Sequence, residues 1–297
     1  MVGTWEVFRK ELADHLSSIR SYILFSMVYL IGFSTAYESI GSIRAELTRT
    51  GGESVFLKLF TMQAGVIPSF LGIIIFFGPL IGLILAFDAI NRELSSGTLG
   101  NVLSQPVHRD SMINGKFMAG VATVSLIFAG VIILMIGVGV ANLGVLPTFV
   151  EFLRLMSFLL ISIVYLSMWI ALGLLFSILF RREGTSALAS IATWLFFSIF
   201  IYMIIDVIAT TGVSYFTVSR LSPLFLYSEA ATVILSPEMR ILGLVSYEMV
   251  IGMLEAPLPV DQSLLLVWPS ITSLTAAMMM IFALSYVIFM KQEIRST

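Results

Sequence analysis

The sequence contains no cysteine, only two histidines (His15 and His108) and little charge: Asp, Glu, Lys and Arg make up 11% of its 297 residues, against about 25% in an ordinary soluble domain. Without cysteine there is no disulfide, no thiolate nucleophile and no cysteine-ligated metal. Neither histidine has His, Asp or Glu neighbours grouped at metal-ligand spacing. A net charge of −2 supplies no basic field, so no nucleic-acid partner is expected. The sole Gly-Lys pair, Gly115-Lys116, is followed by Phe117. It lacks the upstream glycine and the Ser/Thr that a phosphate-binding loop needs to cradle phosphates and magnesium. HExxH, GxSxG and paired membrane aspartates are also missing. We therefore expect no catalytic residue, bound cofactor or metal in this chain, and no enzyme activity from it alone.

What the sequence has in excess is apolar surface. It is 58% hydrophobic, with a mean hydropathy of +1.02. A soluble core cannot hide so much, whereas lipid can replace water around the outer faces. Six apolar stretches, roughly Tyr22–Tyr37, Val66–Ala89, Phe117–Leu143, Leu155–Phe180, Ala187–Ala209 and Leu264–Met290, suit a hydrocarbon core that needs about 20 helical residues. Their runs are continuous rather than alternating, which argues against a β-barrel. The expected fold class is all-α: a polytopic membrane protein of six transmembrane helices, forming one membrane domain over residues 1–297.

Orientation follows from Lys and Arg placement. Arg9, Lys10, Arg20, Arg92, Arg109, Lys116, Arg181, Arg182, Lys291 and Arg295 fall on one side, mostly in short loops; Arg44, Arg49, Lys58, Arg154, Arg220 and Arg240 fall on the other. Both termini, the Asn91–Lys116 loop and the Arg181–Gly184 turn are therefore expected in the cytoplasm. Residues 1–20 read as a retained interfacial helix rather than a cleavable leader, with Trp5, Phe8, Leu12, Leu16, Ile19 and Ile23 on one stripe facing acyl chains. The alternative is a helix packed on the rest of the protein. Span two contains Pro68 and Pro79, which kink helices, and a Gly78–Gly82 pair suited to close packing, either at a subunit interface or within the chain. Residues 210–263 form a long, weakly polar outer segment. Leu221–Leu235 and Ile241–Leu254 read there as short helices that dip into or lie on the outer surface, too short to cross. Deep ionisable residues would mark ion-coupled transport, and the candidates are Asp88 and Asp206, both near span ends.

The loop of residues 91–116 is the most polar stretch, yet it has internal order. Leu94, Leu99, Val102 and Leu103 recur at near-helical spacing, Gly97 and Gly100 permit close approach, and Ser104-Gln105-Pro106 stops the helix. A solvated connector needs neither a leucine face nor these glycines; a helix offered to a cytoplasmic partner does. Glu93, then Gly97-Thr98-Leu99, Leu103-Ser104-Gln105-Pro106, Arg109 and Gly115-Lys116 resemble the signature of ABC transporter permeases of the type-2 exporter class. The order of amphipathic helix, six spans and outer segment resembles that class over the whole chain. Asn101-Val102, in place of a more leucine-rich stretch, and His108, where a small polar residue is common, depart from it.

The resemblance implies the membrane subunit of an ATP-driven exporter. Glu93, Gly97, Thr98, Leu99, Leu103, Ser104, Pro106 and Arg109 would form the coupling helix and its flanks, seated in a cleft of a separate ABC ATP-binding subunit that holds ATP and magnesium. Arg181 and Arg182 would touch the same subunit. Glu93 would fix the loop through a cap or a salt bridge to Arg92, Arg109 or the Arg181-Arg182 pair. A second permease copy or a related permease would complete a dimer in a prokaryotic plasma membrane, with a path lined by spans two and five. An ion-coupled secondary carrier and a non-transporting component using the same fold are the competing readings.

Overall fold

In the computed structural model, residues 2–50, 54–63, 67–95, 108–210, 215–237 and 258–291 are described. Among them there is no β-strand. The helices are α1 (Val2–Ser17), α2 (Ile19–Thr50), α3 (Val55–Thr61), α4 (Phe70–Ala86), α5 (Asn91–Ser95), α6 (Arg109–Leu143) and α7 (Phe149–Leu179). They are followed by α8 (Glu183–Leu195), a π-helical turn (Phe196–Phe200), α9 (Ile201–Ala209), α10 (Tyr215–Ser219), α11 (Pro223–Leu235) and α12 (Val260–Lys291). Six helical stretches are long and apolar enough to cross a membrane: Ile19–Ala45, Phe70–Glu93, Arg109–Leu143, Phe149–Leu179, Glu183–Ile208 and Val260–Lys291. Each overlaps one expected span.

The central helix is α7, with 72% of its most apolar window buried within the chain, against 11% for Glu183–Ile208. It packs against α4, α6, α11 and α12, and its side chains Phe158, Tyr165, Leu166, Trp169 and Leu174 are fully buried. Gly82 of α4 shows why small residues face it: a Cβ there would lie 2.8 Å from the Leu166 carbonyl and from Trp169 Cβ. Gly78 faces Tyr165 and Leu166. The Gly78–Gly82 pair thus serves packing within the chain, the second of the two roles considered for it.

Several boundaries differ from expectation. Pro68 lies before span two rather than inside it, because Ser69 caps α4 by accepting from the Gly72 amide at 3.2 Å; Pro79 alone is internal. The expected stripe from Trp5 to Ile23 is broken at Ser18, whose Oγ accepts from the Ser21 amide and starts α2. Span one is longer than its apolar run, since no Gly or Pro interrupts the chain between Ser42 and Thr50. The loop expected over 91–116 is helical at both described ends, and α6 begins at Arg109, eight residues before the apolar run at Phe117. Asp110 in its first turn complements the helix dipole. Of the outer segment, α11 is buried against α7 and α12; Ile241–Leu254 lies outside the described residues.

Candidate functional site

The C-terminal end of span two is fastened to two other helices by serine hydroxyls. Ser177 Oγ of α7 accepts from the Ile90 and Asn91 amides at 2.8 and 3.1 Å. Ser186 Oγ of α8 donates to the Phe87 carbonyl at 2.6 Å. The Ser177 bonds satisfy amides at the start of α5 and the Ser186 bond a carbonyl at the end of α4, groups that helix ends otherwise leave without partners. They also place the exposed Arg181-Arg182 turn, between α7 and α8, at the same end of the bundle as the start of the 91–116 loop.

Charge at this end is organised in two adjacent sets. Asp88, 5% exposed, takes a two-pronged bond from Arg20 at 2.9 and 2.7 Å, with Arg92 4.0 Å away. The Arg20 guanidinium also stands 5.3 Å over the Phe87 ring. Beside it the Lys116 ammonium donates to Glu11 of α1 and Glu93 of α5, each at 2.8 Å. Lys116 is thus an observed partner of Glu93, beyond the arginines named from sequence. Between these sets opens a crevice of about 550 Å³, lined by Glu11, His15, Arg20, Asp88, Arg92 and Lys116 among others. Burial holds the His15 imidazole below its ordinary value, with Glu11 pulling the other way.

Of the site residues expected from sequence, Glu93 lies in this cluster, Arg109 opens α6, and Arg181 and Arg182 are exposed. Gly97, Thr98, Leu99, Leu103, Ser104 and Pro106 lie outside the described residues. Asp88, a candidate for ion handling, is paired with Arg20; Asp206 is exposed on α9. Among the described residues no group of three or more His, Asp or Glu is placed to hold a metal. Sequence reasoning missed Glu11, Ser177 and Ser186. A glutamate on the polar side of α1 and two serines at span ends carry no signal until the helices are brought together.

The profile that describes ABC-2 family transporter proteins matches residues 5–294. The chain belongs to that family. Among its relatives, the probable ABC transporter permease protein NosY of Pseudomonas aeruginosa is 30% identical over 207 residues, covering 66% of this chain and 67% of that protein. The protein of the same description from Stutzerimonas stutzeri is 30% identical over 145 residues, 49% of this chain and 46% of that one. This ABC-2 chain is accordingly a multi-pass membrane permease component, and membership implies an ATP-binding partner. The cluster around Glu93 and Lys116 is where its loop joins the bundle.

Proposed function

We propose that this chain forms one half of the membrane portion of an exporter driven by ATP. The observation that carries this reading is the fastening of the loop's first residues to α7 and α6, and of the end of span two just before them to α8, beside an exposed arginine turn. A loop so anchored can accept force from a docked subunit and pass it to spans two and five. A loop held only by its own chain ends would bend instead. ATP-driven closure of the partner then biases a packed, two-state arrangement of helices. ATP and magnesium reside in the partner, which contacts Glu93, Gly97–Pro106 and Arg109, and secondarily Arg181 and Arg182.

Spans two and five are neighbours: Trp194 Nε1 donates to the Phe76 carbonyl at 2.8 Å and its ring stacks with Phe77. The Glu183–Ile208 stretch buries little of itself in this chain and contains the π-turn, a feature frequent at functional sites. A second permease copy covers it, and the path runs between the copies. Both termini face the cytoplasm of a prokaryotic cell; the Lys/Arg distribution supports this orientation.

The test is co-purification with a candidate ATP-binding subunit, followed by ATPase measurement in proteoliposomes. Activity is expected only in the complex. Gly97→Asp or Leu103→Asp should leave the permease in the membrane and remove its effect on that activity. Normal stimulation by both variants would refute the docking assignment.

A further inference from the structure

Lys116 joins three segments that are distant in sequence. It stands on the second turn of α6, its side chain only 4% exposed, between carboxylates from α1 and α5 that are 14% and 17% exposed. Water has little access to replace either partner, so the ion pairs are held rather than exchanged. Just before it, Gly115 lets α1 approach so closely that an added Cβ would lie 2.8 Å from Val7 Cβ. Val7, Glu11 and His15 recur one turn apart, so the face of α1 that meets α6 also carries the carboxylate to the lysine. Trp5 of α1 remains 57% exposed. The N-terminal helix is therefore fixed to the bundle by its Val7–Glu11 side, while part of the apolar stripe is left for lipid.

Two carboxylates and one ammonium carry a net charge of −1. Glu11→Gln leaves a balanced Lys116–Glu93 pair, which keeps the loop tied to α6 and loosens α1. Glu93→Gln leaves a balanced Lys116–Glu11 pair, which keeps α1 tied and loosens the loop. Removing Lys116 instead leaves two carboxylates facing each other in a buried site. Each connection can thus be cut separately without creating an uncompensated buried charge.

We propose that Lys116 is a positioning residue that links the N-terminal helix to the coupling loop, so that nucleotide-driven displacement of the loop is carried into α1. This rests on the docking role proposed above for the loop.

The absence of cysteine makes a direct test practical. Spin labels are placed at Arg9→Cys on α1 or His108→Cys at the end of the loop. Each is paired with Leu146→Cys, 77% exposed in the connection between α6 and α7 at the opposite end. Distances are measured in the complex with its ATP-binding subunit, without nucleotide and trapped with ATP. Both distances should change in the otherwise unmodified chain. In Glu11→Gln and in Glu93→Gln the change at Arg9 should fall below half while that at His108 persists. An Arg9 change that survives at full size in both variants overturns the inference, as does an Arg9 distance that never changes while His108 moves. If His108 itself stays still in a complex that hydrolyses ATP, the docking reading has failed and the inference fails with it.

Discussion

At the loop-bearing end of the bundle Asp88, Glu93 and Lys116 are neutralised by side chains of opposite sign, whereas at the far end Glu151 and Arg154 are held chiefly by backbone groups. Glu151 accepts from the Phe56 amide and the Thr148 amide, each at 2.8 Å, and forms a capping box with Thr148. Arg154, 2% exposed, donates to the carbonyls of Ile234 and Leu258 and to Ser263 Oγ. The carboxylate thus meets the first turn of α3 and the guanidinium meets the last turn of α11, each at the helix end whose dipole attracts its charge. Backbone partners cannot change rotamer or protonation, so Glu151 and Arg154 are built to stay fixed, while Glu229 on the same α11 pairs with the Arg220 side chain at 2.7 Å. At the loop-bearing end the partners are side chains, buried enough at Lys116 to hold their pairs, and each is carried by a separate helix.

Arg154→Leu tests the fixed end most severely. It strands two buried carbonyls and should cost about 4 kcal/mol, read by equilibrium unfolding in mixed detergent micelles. Arg154→Lys should recover less than half of that, because an ammonium cannot reproduce the fork of donors. At the other end Lys116→Met should cost about 3 kcal/mol, and Glu11→Gln less than about 1 kcal/mol, because a balanced pair survives. If these two cost the same, charge balance is not what governs that cluster. Glu151→Gln should fall between them at about 1.5 kcal/mol, since the amide oxygen can keep one bond but carries no charge for the helix end. The smallest effect belongs to His15. Its folded value lies below the ordinary 6.5, so the unfolded chain takes up the proton first. Stability should be complete above 6.5 and decline as pH falls, until the folded imidazole is protonated as well. A thermal-stability profile of His15→Gln should be flatter than that of the parent across this window.

The spans were legible because each is a long run of apolar residues, and length alone separates such a run from a soluble helix. The short buried helices α3 and α11 were harder. Val55–Thr61 has the composition of a lipid-facing segment, and only its burial against α2 and α4 shows it to be part of the bundle. At the site, Glu93 could be singled out from its place before the Gly97–Pro106 stretch. Its tie to Lys116 spans 23 positions and the tie from Lys116 to Glu11 spans 105. No local period reports either.

By itself the sequence determined that this chain lives in a bilayer, how many times it crosses and where its polar loop lies, because hydropathy acts residue by residue along the chain. Only the tertiary structure decided which charges share a buried site, that α7 is the central helix and that α1 is fixed through Glu11. Those outcomes depend on helix faces meeting at contact distance, and that geometry is set by packing among segments far apart in sequence.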